Sequence, residues 1–357
     1  MSTNPEQNCL SPALPVFDLE PYLSNTDSDI LSLCKSIASH LKNTGALVVR
    51  DPRVDASKND RFLNTMEAYF ARPEEVKLKD ARPNLAYQVG ITPEGVEKPR
   101  CLSDISVQDK IASLPKEHKP QQPSGPDPKW RYFWRLGKRP EKTRFRELNA
   151  DPVVPDGFDN WEEIMNDWGN HMLDTVSTVS EMVALGLGLN KDTFTQRMHN
   201  GPHLLAPTGT DLGKYGKEGT VIAGFHNDLN FLTIHGKSRF PGLSIWLRDG
   251  TKIQVKIPDG CLLIQAGKQM EWLTGGQIQA GYHEVICTKE TVMSREEAIG
   301  ACRSTWRVSS TVFSQLASDE VLRPLSCFQT EENTTKYPPM PVGQFVESEL
   351  QYINLMQ

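Results

Sequence analysis

The sequence predicts a mainly β chain with flanking helices, and three observations predict it. Between Thr220 and Phe313, short strand-like stretches follow one another at close spacing, punctuated by Gly, Pro and Asp. A long amphipathic pattern from about Trp161 to Leu187 precedes them and reads as one helix backing a sheet. Before it, helix-spaced and strand-like stretches alternate, which gives an N-terminal α/β region. Short strands at such spacing point to an all-β barrel or jelly roll in the C-terminal half.

The elements follow in order. Leu14 to Leu19 reads as a short strand. Residues Asp29 to Asn43 place Ile30, Leu31, Leu33, Ile37, Ala38 and Leu41 at helical spacing, and Gly45 takes the C-cap role. Ala46 to Val49 is a buried strand, and Asp60 to Phe70 a second helix ending near Arg72-Pro73. Pro115 to Pro128, rich in Pro, Lys and Gln, is an irregular surface loop. The strands of the second half are Thr220–Ala223, Phe231–His235, Leu243–Leu247, Lys252–Ile257, Cys261–Gln265, His283–Cys287 and Arg307–Phe313. A capping-box pattern, Ser294-Arg295-Glu296-Glu297, starts a helix over Ser294–Ser304. The tail after Pro324 wraps back, with a last helix from Phe345 to Met356.

Composition narrows the function classes. The chain has 357 residues, 38% hydrophobic and 24% charged, enough for a large core without staples. Its net charge of −6 gives no general attraction to nucleic acid or to an anionic membrane. No apolar run is long enough for a membrane span, and Met1 to Leu14 lacks the layout of a secretory signal. Seven scattered cysteines with no CxxC pair suggest reduced thiols and a cytoplasmic protein.

The residues that carry chemistry lie between Gly224 and Ser310. His226 and Asp228 stand two apart, so on a strand both side chains reach one ion. His283 follows in Gly281-Tyr282-His283-Glu284-Val285 and comes from another strand. Two imidazoles and one carboxylate hold one face of a divalent ion and leave positions open for oxygen chemistry. Zinc is also compatible with these ligand types. Each piece alone is weak, because an isolated His-x-Asp arises often by chance. Arg307 and Ser309, again two apart, make a receptor for a carboxylate, since a guanidinium offers a planar two-pronged fork.

The order His-x-Asp, distal His, Arg-x-Ser resembles the iron(II)/2-oxoglutarate dioxygenases of the isopenicillin-N-synthase-like group. The flanks share the resemblance: Phe231-Leu232-Thr233-Ile234, Pro241-Gly242-Leu243, Leu262 to Gly267 and Leu273 to Gly276, with Pro15 to Leu19, Thr44 to Leu47 and Phe70 to Pro73 on the N-terminal side. The resemblance implies a distorted double-stranded β-helix core over residues 200–325, braced by 1–199 and packed by the tail 326–357 in one integrated unit. It implies Fe(II) on His226, Asp228 and His283, with 2-oxoglutarate held by Arg307 and Ser309. Oxygen is then the second co-substrate and ascorbate a reductant. The products are succinate, CO2 and an oxidised small metabolite of secondary metabolism. A monomer is expected.

Three departures stand out. Asn227 stands between His226 and Asp228 where the family usually has threonine, the tyrosine that the family carries upstream of His-x-Asp is missing from Leu204 to Gly209, and the span from His283 to Arg307 is longer than the family norm. For the substrate, the informative stretch is Lys129 to Arg146, where basic and aromatic residues interleave. Either Arg135, with Tyr132 or Trp134, touches a carboxylate-bearing substrate, or the stretch is a solvated basic loop whose aromatics pack on the long helix. The second carries more weight, since charge runs are usually solvated. Rival functions are a 2-oxoglutarate-independent iron oxidase whose Arg-x-Ser pair binds the substrate itself, a non-catalytic jelly-roll binding protein, and a zinc hydrolase, which lacks a general base beside the ligands.

Overall fold

The computed structural model describes residues 14–25 and 29–356; Cys9 and most of the N-terminal leader lie outside them. The helix Ile30–Thr44 begins on Asp29, whose carboxylate accepts the Ser32 amide, and ends at Gly45 with φ 76°. Only a residue without Cβ takes that left-handed cap freely. The helix Ala56–Phe70 starts four residues earlier than expected, because Asp55 caps it through the Ser57 amide. The helix Trp161–Gly186 runs nearly as the periodicity predicts. It packs against both earlier helices. At Gly186 the approach is so close that an added Cβ would lie 2.2 Å from the Cys34 carbonyl oxygen.

Of the sixteen strands among the described residues, fourteen build two large sheets, and Val321–Leu322 pairs with Met340–Pro341 as a small third one. The fourteen are β1 Val16–Asp18, β2 Ala46–Arg50, β3 Gly90–Thr92, β4 Trp130–Leu136, β5 His203–Leu205, β6 Thr208–Asp211, β7 Val221–Asn227, β8 Leu232–His235, β9 Leu243–Trp246, β10 Lys252–Gln254, β11 Cys261–Ala266, β12 Tyr282–Ile286, β13 Trp306–Val308 and β14 Thr311–Ser314. The larger sheet has the order β1-β2-β11-β8-β14-β5-β4-β6-β13, with β3 added on β4. The smaller has the order β10-β9-β12-β7. Neither closes on itself, and helices hold 39% of the residues, so the chain is mixed α/β rather than mainly β. The excess helix comes from the three long elements of the N-terminal half, set against strands of only a few residues.

Local differences have local causes. The stretch expected as one strand from Arg307 to Phe313 is broken at Ser309-Ser310 into β13 and β14, which pair in different parts of the sheet. The helix expected from Ser294 runs instead over Lys289–Gly300. Its capping box is Thr288 with Thr291, each hydroxyl accepting the other's amide, and the Ser-Arg-Glu-Glu pattern lies inside it. The basic stretch splits in two: residues 130–136 form the buried strand β4, whereas 137–146 make the irregular, largely exposed loop that was expected.

The core forms where the long helix meets β4. Tyr69, Tyr132 and Trp161 cluster with ring centroids 4.9 to 5.2 Å apart. Such aromatic pairs add roughly 0.5–1.5 kcal/mol each beyond area burial. The Tyr69 hydroxyl donates to Asp80 at 2.8 Å, so its polar end is satisfied. None of the six described cysteines forms a disulfide; Cys34, Cys261 and Cys287 are buried. No helix among the described residues is long and apolar enough to cross a membrane.

Candidate metal centre and cavity

The antiparallel pairing of β7 with β12 sets His226 directly opposite His283. Their ring centroids are 4.2 Å apart. Asp228 follows one residue past the end of β7, where its carbonyl accepts the Lys268 amide at 2.8 Å and fixes the turn. Asp228 Oδ1 then lies 3.7 Å from His226 Nε2 and 3.9 Å from His283 Nε2. All three ligand atoms are within 4.8 Å of one another.

This donor set fits a divalent transition metal. His226 Nδ1 lies 2.6 Å from the Gly224 carbonyl oxygen, so the proton belongs on Nδ1 and the Nε2 lone pair faces Asp228. Burial, with His283 adding to it, pulls His226 down to about 3, and burial lowers His283 as well. Both imidazoles are therefore neutral ligands at ordinary pH. Burial acts against the Asp228 charge, but His283, His226 and the Thr233 hydroxyl outweigh it and hold its carboxyl below the usual range. Thr233 Oγ1 donates to Asp228 Oδ2 at 2.5 Å.

A cavity of about 570 Å³ opens from the triad, a volume suited to a small organic molecule. Arg307 and Ser309 line it. Arg307 projects from β13 opposite Thr210 and donates through Nε to the Pro241 carbonyl oxygen at 3.2 Å. No carboxylate pairs with it among the described residues. Burial lowers its guanidinium to about 10, which still leaves it charged at neutral pH. Ser309 lies in the break after β13, and its Oγ accepts both the amide and the hydroxyl of Thr208, at 2.9 and 2.8 Å.

Two lining residues escape a reading of the sequence. Thr208 stands in the stretch that lacks the family tyrosine, and only strand pairing brings it to Ser309. His235 closes a predicted strand with no role attached. Its ring centroid is 6.1 Å from that of His283, its Nδ1 is 3.0 Å from Thr311 Oγ1, and burial pulls it down to about 4. A histidine inside an apolar run is the signal that points to it.

The expected substrate residues do not meet the cavity. Tyr132 is fully buried and donates its hydroxyl to the Val153 carbonyl at 2.5 Å. Trp134 packs toward the long helix and donates to Asn166 at 2.9 Å. Arg135 donates to the carbonyls of Leu136 and Lys138 and lines a separate small pocket with Arg139, Asn166 and Asn170. Tyr132 and Trp134 point away because alternate residues of β4 face opposite sides, whereas Arg135 shares the face of Arg131 and Phe133 but lies farther along the strand, where backbone carbonyls engage its guanidinium. Arg131 and Phe133 line the main cavity instead.

A buried ion network surrounds that side. Lys129 binds Asp127 at 2.8 Å and approaches Glu97 at 3.5 Å, while Arg131 binds Glu97 at 2.9 Å. Burial works against the Glu97 charge, but Arg131 and Lys129 hold its carboxyl below the usual range. The helix Val342–Tyr352 also borders the cavity. Its Glu349 pairs with Arg100 and, at 2.8 Å, with Lys268.

Two family models match the chain. The model for the N-terminal region of non-haem dioxygenases in morphine synthesis matches residues 14–156, and that for the 2OG-Fe(II) oxygenase superfamily matches 197–316. Kihadalactone A synthase LFS of Citrus sinensis is 26% identical over 201 residues, 53% of this chain and 54% of its own length. Azadirone synthase LFS of Melia azedarach is 25% identical over 199 residues, 52% and 54% respectively. The chain thus spans about half the length of the curated relatives it matches. Among solved structures, a 2OG-Fe(II) oxygenase family protein of Caulobacter crescentus superposes with a TM-score of 0.74 at 23% identity, covering 95% of this chain and 98% of that one. That likeness shows the fold. The triad His226, Asp228 and His283 is the family's iron(II) site, and the chain belongs to the 2OG-Fe(II) oxygenase superfamily.

Proposed function

We propose that this chain is an Fe(II)- and 2-oxoglutarate-dependent oxygenase that oxidises a small-molecule metabolite and releases succinate and CO2. One observation carries the reading: a buried guanidinium without a carboxylate partner shares one cavity with a buried two-histidine, one-carboxylate triad. An uncompensated buried charge is costly to keep, so a site that keeps one is built for an anion. Arg307 and Ser309 receive the distal carboxylate of 2-oxoglutarate, and Thr208 fixes the Ser309 hydroxyl that faces it.

When bound, iron and 2-oxoglutarate supply the oxidising chemistry through decarboxylation of the co-substrate. The chain's own residues position and enclose it. His226 and His283 present neutral nitrogens, the Thr233 hydrogen bond orients Asp228, and the apolar walls keep water from the reacting atoms. Hydroxylation, desaturation and oxidative cyclisation are all open to such a site. The relatives' names, both synthases of plants, support a role in secondary metabolism.

In this reading residues 200–325 form the distorted double-stranded β-helix, the described residues before them brace it, and the described residues after them pack on it, as a cytoplasmic monomer. The pairing of β7 with β12 and of β8 with β14 supports the core assignment.

The test is a metabolite screen with iron, ascorbate and 2-oxoglutarate, reading succinate and oxygen uptake together. Expected is succinate formation that rises with a substrate and disappears in His226→Ala and Asp228→Ala. Substrate oxidation without succinate would give the oxidase reading instead, and full activity in either variant would end both.

A further inference from the structure

Arg131 lies in a part of the cavity wall that neither the metal triad nor Arg307 accounts for. It projects from β4, opposite Thr208 on β6, and is 6% exposed. Its Nη1 donates to Glu97 at 2.9 Å, and its guanidinium carbon lies 4.2 Å from the Phe133 ring centroid. Nε and Nη2 are buried and have no hydrogen-bond partner among the described residues. These two nitrogens form the side-on edge of a guanidinium, whose parallel N–H groups match the two oxygens of a carboxylate. Leaving such donors unpaired in a buried wall is unfavourable, so the arrangement calls for an acceptor that arrives with a ligand.

We propose that Arg131 anchors a carboxylate of the substrate, and that the substrate is an otherwise apolar organic acid. The inference rests on the oxygenase reading and gives its substrate class. Glu97 fixes the plane of the guanidinium by holding Nη1, and Phe133 supports one face. Lys129 and Asp127 complete a set of two cations and two carboxylates, so the set carries no surplus charge. Selection therefore comes from geometry: a carboxylate fills both donors, whereas a carboxamide offers a single oxygen. The apolar part of the ligand has its own wall. Phe133, Leu204, Ala206 and Phe313 form one cluster beside Arg131, and all four line the cavity, joined by Leu350 and Ile353. Arg135, four residues along the same strand, has its guanidinium engaged by backbone carbonyls outside this cavity and serves as a control.

The experiment uses the full chain loaded with manganese(II) and saturated with 2-oxoglutarate, without oxygen. Medium-chain and arylalkyl monocarboxylates, each paired with its carboxamide, are titrated by calorimetry. Expected is a clear preference for acids over their amides, which Arg131→Gln weakens on the order of ten- to a hundredfold. Arg131→Lys, which keeps the charge but not the paired edge, recovers only part of it, and Arg135→Gln changes nothing. Manganese and 2-oxoglutarate affinities stay the same in all three variants. The proposal is overturned if no acid is preferred, if the preference survives Arg131→Gln, or if that variant weakens 2-oxoglutarate binding as Arg307→Leu does. A wild-type chain that takes up neither manganese nor 2-oxoglutarate overturns the oxygenase reading itself, and that separate readout tells the two failures apart.

Discussion

Thr233 donates its hydroxyl to Oδ2 of Asp228 at 2.5 Å, leaving Oδ1 as the oxygen that approaches both histidines. The threonine sits on β8 and the aspartate in the turn before it, so one short loop builds both ligand and orienting group.

Thr233→Val keeps the shape and removes the donor. Metal affinity is expected to fall by about ten- to a hundredfold, the usual effect of losing a partner behind a ligand. Stability should fall by only about 1–3 kcal/mol. Calorimetric titration with manganese(II) beside urea melts checks both; equal metal affinity would show that Asp228 needs no orienting group.

Arg307→Leu is expected to separate function from stability. The variant loses 2-oxoglutarate affinity on the order of a hundredfold, read from the KM for succinate formation. The metal-free protein should melt no lower than wild type, because a buried charge without a counter-ion has been removed. A large drop in Tm would mean that the guanidinium is structural.

His203 gives a pH dependence with a definite sign. Burial, and then Arg135, pull it down to about 3, and its Nδ1 accepts the Gln315 amide at 3.0 Å. In the unfolded chain a histidine titrates near 6.5, so as pH falls the unfolded state takes the proton first. The contribution is fully present above about pH 6.5 and is lost between there and about pH 3, at roughly 1.4 kcal/mol per pH unit. Urea midpoints measured at falling pH on metal-free protein should decline, and His203→Gln should flatten the decline. An unchanged slope would place the proton elsewhere.

Gly186→Ala tests the contact between the long helix and Ile30–Thr44. The new methyl meets the Cys34 carbonyl, and separating the helices is expected to cost about 1–3 kcal/mol. The helix-propensity gain, at most about 1 kcal/mol, does not offset this. A Tm equal to wild type would show that the two helices yield easily.

The triad was legible in the sequence through the joint order of His-x-Asp, distal His and Arg-x-Ser, which resembles a known family where each piece alone is weak. His226 and Asp228 need only a strand and its end, and His283 only a neighbouring strand. The helix Ile30–Thr44 was legible on its own, since its apolar period and its Gly45 stop are both local. β4 was not. Its residues Trp-Arg-Tyr-Phe-Trp-Arg-Leu are buried on both faces, so no polar alternation marks a strand. The partner that neutralises Arg131 is Glu97, 34 residues away. A charge that owes its burial to a distant partner looks, in sequence, like a charge meant for solvent. The start of Lys289–Gly300 was missed for a smaller reason: threonine replaces glutamate at the closing position of its capping box.

The packing of Val342–Tyr352 against the reaction chamber has a practical bearing on redesign. Leu350 and the adjoining Ile353 face the chamber from more than a hundred positions downstream of the first metal ligand. A library confined to that short stretch would reshape what the chamber admits while leaving the oxidising machinery untouched, so altered selectivity is within reach of mutagenesis at the far end of the polypeptide.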